Sequence, residues 1–70
     1  MNTLIQLGAR IRYLRRKKGM SQEDLALEAE INKNYISDLE RGKRNPSLII
    51  LLRICYALRI TLSTLFQGID

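Results

Sequence analysis

The chain has 70 residues, with 12 Lys+Arg against 7 Asp+Glu, one cysteine and no histidine. That is room for one small domain, in which an intrachain disulfide is impossible and a zinc site lacks its ligands. A chain of this size buries only about 60% of the surface its unfolded form exposes, so oligomerisation or tight helix packing has to supply the stability margin.

The net charge of +5 favours a polyanionic partner, nucleic acid before an anionic membrane surface. With 46% hydrophobic and 27% charged residues the chain is too apolar for a disordered basic tail. Its longest apolar run, Leu48-Ile49-Ile50-Leu51-Leu52, is far short of the roughly 20 residues that span a bilayer. The opening MNTLIQLGAR lacks the charged start and continuous apolar stretch of a secretory signal, and a lone cysteine suits a reducing compartment. The expectation is a cytoplasmic protein.

In chain order, Leu4, Leu7, Ile11 and Leu14 recur at spacings of three and four, the mark of one apolar helix face. Gly19 ends this first helix, and Arg15-Arg16-Lys17-Lys18 fill its last turn, where cations suit the helix dipole. Ser21 opens a second helix with Asp24 three residues on, close to a capping box, and with Leu25, Ala26 and Ala29 as its apolar positions. Asn32 caps a third, in which Ile36 and Leu39 point inward before Gly42 stops it. A basic loop, Arg41 to Pro46, leads to Ser47 as the cap of a fourth helix, and Thr61 caps a short fifth. No alternating pattern predicts a strand. The expectation is an all-α domain over 1–70, with helices at about 3–18, 22–29, 33–41, 48–58 and 62–67.

Ser21 to Gly42 therefore holds two short helices joined by a turn of about three residues, the spacing of a helix-turn-helix. Small Ala26 allows close approach of the two backbones, and Ile31, Ile36 and Leu39 lock the second helix of the pair down. Lys33, Asn34, Ser37 and Asp38 remain outside, a polar face able to hydrogen-bond base edges. By residue type alone, Lys33 and Asn34 also fit a solvated helix start.

The string Leu14-Arg15, Gly19-Met20-Ser21-Gln22-Glu23-Asp24-Leu25-Ala26 and Tyr35 through Ser47 resembles the phage-repressor and Cro-type helix-turn-helix family. It is most similar to short stand-alone members such as the controller proteins of restriction-modification systems, and the resemblance covers roughly residues 7 to 67. It implies a compact five-helix, lambda-repressor-like DNA-binding domain whose second and third helices form the motif. It further implies that Gln22 holds a phosphate, that Lys33, Asn34, Ser37 and Asp38 face the major groove, and that Arg41, Lys43 and Arg44 lie against the DNA backbone. Arg15 and Glu40 match a family pair that forms a partly buried salt bridge. One position departs from the pattern. Glu30 stands where the turn usually has a left-handed glycine, at a cost on the order of 1 kcal/mol.

Two readings stay open for several of these residues. Asp38 either accepts from a cytosine N4 amino group or repels phosphate and excludes wrong sequences. Tyr35 either stacks on or hydrogen-bonds to the DNA backbone, or simply packs. Arg16, Lys17 and Lys18 read either as a phosphate-binding patch or as a solvated face that complements the helix dipole. Cys55, in an apolar helix, reads as a small buried hydrophobe. Glu23, Asp24, Glu28 and Glu30 suit dipole complementarity better than a metal site.

In the fourth helix ten of the eleven residues from Leu48 to Leu58 are apolar or tyrosine, Arg53 being the exception. With Leu48, Leu51, Leu52, Cys55 and Leu58 assigned to the core, Ile49, Ile50 and Tyr56, and Ile60 beyond them, are left to form a dimer interface.

No histidine base, glycine-rich phosphate loop or activated serine or cysteine points to an enzyme. No metal, cofactor or small-molecule ligand is expected. The function expected is a sequence-specific DNA-binding transcriptional regulator, a homodimer on an inverted-repeat operator in double-stranded DNA, without an effector domain on this chain. The alternative is an antitoxin-like module that binds a partner protein and its own promoter. A membrane-surface helix is disfavoured by the turn-framed polar face.

Overall fold

The computed structural model describes residues 2–70. Five helices follow one another: α1 (Thr3–Lys17), α2 (Gln22–Ala29), α3 (Lys33–Glu40), α4 (Leu48–Leu58) and α5 (Leu62–Leu65). The described residues contain no strand. Each helix starts on a residue whose side chain accepts from a backbone N–H of the first turn: Asn2, Ser21, Asn32, Ser47 and Thr61. The box at α2 is complete. Ser21 Oγ accepts from the Asp24 N–H at 3.0 Å, and Asp24 Oδ2 accepts from the Ser21 N–H at 2.9 Å. Those hydrogen bonds hold the Asp24 carboxyl below its ordinary pKa.

Three ends fall earlier than the sequence pattern predicts. α1 stops at Lys17, α3 at Glu40 and α5 at Leu65, and the next residues are helix caps with near-helical backbone.

The core takes Leu7, Ile11 and Leu14 from α1, Leu25 and Ala26 from α2, Ile36 and Leu39 from α3, a stripe from α4, and Leu65. α3 packs on α1 and α2, while α4 packs on α2 and α5, so α2 sits between α3 and α4. Gly8 sets how closely α1 and α3 meet. A Cβ there would collide with the Leu39 carbonyl oxygen and stand 2.6 Å from that of Glu40. Gly42 is required twice over. Its φ is +77°, and a Cβ would lie 2.7 Å from Ile5 Cγ1.

α4 is rotated relative to the sequence expectation. Leu51, Ile54, Cys55 and Leu58 point inward, whereas Leu48 and Leu52, expected in the core, are exposed. At about 100° per residue, an inward stripe through 51, 54, 55 and 58 carries Leu52 out of the core. Ile50 and Ile60, expected at an interface, are partly buried against the core instead. Cys55 is buried, and that burial raises the pKa of its thiol.

Candidate nucleic-acid interface

The turn between α2 and α3 is made by Glu30, Ile31 and Asn32. Glu30 is left-handed, with φ 56° and ψ 47°, and it ends α2. The Ile31 N–H donates to the Ala26 carbonyl at 2.9 Å, closing the helix end that this conformation creates. Asn32 then begins α3 by accepting from the Asn34 N–H at 2.7 Å.

α3 is fixed from below by Ile36 and Leu39, both fully buried, and by Ile31, which is half-buried. Its end is fixed by charge. Arg15 Nε donates to Glu40 Oε2 at 2.6 Å and Arg15 Nη2 to Glu40 Oε1 at 2.9 Å. Arg15 Nη1 also donates to the Met20 carbonyl at 2.8 Å, and Gln22 Nε2 to Glu40 Oε1 at 3.1 Å. One carboxylate thereby ties α1, the start of α2 and α3 together. The hydrogen bond to Glu40 raises the pKa of the Arg15 guanidinium, more than offsetting the effect of its own burial. Arg16, Lys17 and Lys18 on the same basic run are exposed.

The outer side of α3 carries Lys33 and Asn34, both exposed, then Ser37 and Asp38, both half-buried. One helical turn separates the two pairs, so they lie along a single side of the helix. Tyr35 is half-buried against the core, and the Arg44 guanidinium lies over its ring at 5.1 Å. Gln22 is half-buried and one of its amide protons is given to Glu40, leaving the other for an acceptor outside the protein.

Arg41, Lys43 and Arg44 are exposed where the chain leaves α3, but two of them are already engaged. Arg41 Nη2 donates to Asp38 Oδ1 at 2.6 Å, and Arg44 Nη2 and Nε donate to Asp38 Oδ2 at 3.3 and 3.4 Å. The Arg41 hydrogen bond is the main cause that holds the Asp38 carboxyl below its ordinary pKa. The Asp38–Arg41 spacing of three is a helix-surface pair visible in sequence. Arg44 reaches Asp38 only because the loop turns at Gly42 and the Lys43 N–H donates back to the Asp38 carbonyl at 2.9 Å. Sequence reasoning also passes over Arg10, whose Nη2 donates to the Thr64 carbonyl at 2.9 Å and binds α1 to α5.

The exposed apolar face of α4 consists of Leu48, Ile49, Leu52 and Tyr56, which are 60%, 59%, 43% and 81% exposed. Ile49 and Tyr56 belong to the interface expected from the sequence; Leu48 and Leu52 take the places of Ile50 and Ile60. Among the described residues there is no cluster of metal-ligating side chains, and no helix is long and apolar enough to cross a membrane.

The profile of the Helix-turn-helix family matches residues 11–65. The chain is 42% identical over 67 residues to the control protein C.MunI of Mycoplasma sp, a match that covers 94% of this chain and 90% of that one. The crystal structure of the restriction-modification controller protein C.AhdI from Aeromonas hydrophila is similar with a TM-score of 0.88 and 43% identity, over 90% of this chain and 96% of that one. Another similar structure, with a TM-score of 0.88 and 33% identity over 96% of this chain and 88% of that one, is the restriction-modification controller protein C.Esp1396I as a tetramer in complex with its natural 35 base-pair operator.

Proposed function

The chain belongs to the Helix-turn-helix family, and on that premise we propose that it is a sequence-specific DNA-binding transcriptional regulator, not an enzyme, acting in the cytoplasm as a homodimer on an inverted-repeat operator. The observation that carries this reading is the contrast between the two sides of α3. Its underside is locked by Ile36, Leu39 and the Glu40–Arg15 pair, while Lys33 and Asn34 stand free outside. A fixed helix with exposed polar side chains is what base readout in a major groove requires.

Lys33 donates to guanine O6 and N7, and Asn34 bridges adenine N6 and N7. Ser37 and Asp38 face the same groove one turn further along. Gln22, Tyr35, Arg41, Lys43 and Arg44 contact phosphates and set the register. That a similar protein, C.Esp1396I, forms a tetramer in complex with its natural operator supports DNA binding by this fold.

The second copy covers Leu48, Ile49, Leu52 and Tyr56. These four side chains form one continuous exposed apolar stripe on a small domain, and α2 separates it from α3, so pairing through it leaves the DNA-reading side open. Two-fold pairing places the recognition helices about 34 Å apart, with half-site centres about 10 bp apart.

Selection of bound duplexes from a random pool tests the reading. Enrichment of an inverted repeat with that spacing is expected. A pool that shows no enriched sequence overturns it.

A further inference from the structure

We propose that Asp38 is a specificity-determining residue that works by occupying Arg41 and Arg44 in the unbound protein, so that these cations reach DNA phosphates only when α3 is seated on a matching sequence. The inference rests on the DNA-binding reading above.

The geometry is that of an internal phosphate substitute. A guanidinium fork binds carboxylate and phosphate oxygens with the same donors, so an arginine held by one is withheld from the other. Both Asp38 oxygens are in use, Oδ1 by Arg41 and Oδ2 by Arg44. The two arginine side chains remain 58% and 50% exposed, so a competing anion can reach them. The Lys43 N–H to Asp38 carbonyl bond folds the loop back, and the Tyr35 ring supports the Arg44 guanidinium from the other side. Of the three loop cations only Lys43 makes no ion pair among the described residues.

Sequence-independent binding comes almost entirely from phosphate contacts, so withholding two cations lowers it on every duplex. The release is sequence-dependent because of where Asp38 sits. It lies on the base-facing side of α3, one turn from Lys33 and Asn34, and its carboxylate accepts from a base amino group such as cytosine N4. A matching base therefore takes over the carboxylate and frees the arginines for the flanking phosphates. At a guanine or thymine edge Asp38 meets acceptor atoms, and the arginines stay with it.

The test is a comparison of four full-length proteins: the parent, D38N, R41Q/R44Q and the triple variant carrying all three changes. Each is titrated with the selected operator and with a random duplex between 50 and 200 mM salt. D38N is expected to bind the random duplex more tightly with a salt slope steeper by up to about 1.8, so that its binding falls about tenfold further than the parent's over that range. Its ratio of operator to random affinity should fall. In the R41Q/R44Q background the same change should leave the random-duplex slope where it was. A D38N slope equal to the parent's overturns the proposal, as does an increase that persists without the arginines, which would mark a general charge effect. A parent that does not prefer its operator overturns the DNA-reading premise itself, a separate outcome.

Discussion

Arg15 and Glu40 meet between α1 and α3 as a two-pronged ion pair at 2.6 and 2.9 Å, with side chains 8% and 3% exposed. Glu40 ends α3, so the pair connects the stability of the domain to the angle at which that helix is presented. Removing either partner strands a buried charge, at about 3–5 kcal/mol, a large share of the 5–15 kcal/mol that small domains possess. R15A and E40A should each lower the urea midpoint sharply. R15M/E40L should recover much of the loss, because no charge is left unpaired. Urea unfolding followed by circular dichroism checks this, and single variants as stable as the parent would contradict it.

Glu30 stands in the left-handed conformation without the freedom of glycine. Its side chain is exposed. E30G should therefore remove about 1 kcal/mol of backbone strain, partly offset by the greater freedom of glycine in the unfolded chain. The expected result is a thermal midpoint equal to or above the parent's, with DNA affinity retained. A midpoint several degrees lower would show that Glu30 makes a contribution beyond its backbone.

The α4 stripe predicts a specific pattern of association. Burying two such side chains in each subunit, at about 1.5–3 kcal/mol each, supplies a useful dimer before association costs are counted. Sedimentation at micromolar concentration should show a dimer for the parent and a folded monomer for I49E/Y56E. Ile50 is packed against the core, so I50E should unfold the chain instead of merely separating the subunits. An I49E/Y56E protein that dimerises as well as the parent would move the interface off α4.

Helix starts are legible because capping is local: Ser21 and Asp24 are three residues apart and satisfy each other's backbone. The left-handed turn at Glu30 is readable only by resemblance, and the equivalent conformation at Arg59 has no sequence signal at all. α4 fails for a physical reason. With ten of its eleven residues apolar or tyrosine, no polar stripe fixes its rotation, so the sequence pattern cannot distinguish Leu52 from Ile54 as the buried residue. The Asp38–Arg44 contact depends on the path of the loop through Gly42, and Gly8 on how closely two helices approach. Both are tertiary facts that local spacing does not encode.

In the function proposed, the outer side of α3 reads bases. Its most direct test is equilibrium binding of the parent, K33A and N34A to the selected operator and to a random duplex at one fixed salt concentration. Each good bidentate base contact discriminates by about 1–3 kcal/mol, so each substitution should reduce the ratio of the two affinities roughly 5- to 150-fold. N34A, which removes no charge, should leave random-duplex binding unchanged. If both variants keep the parent's full ratio, α3 is not the reading element.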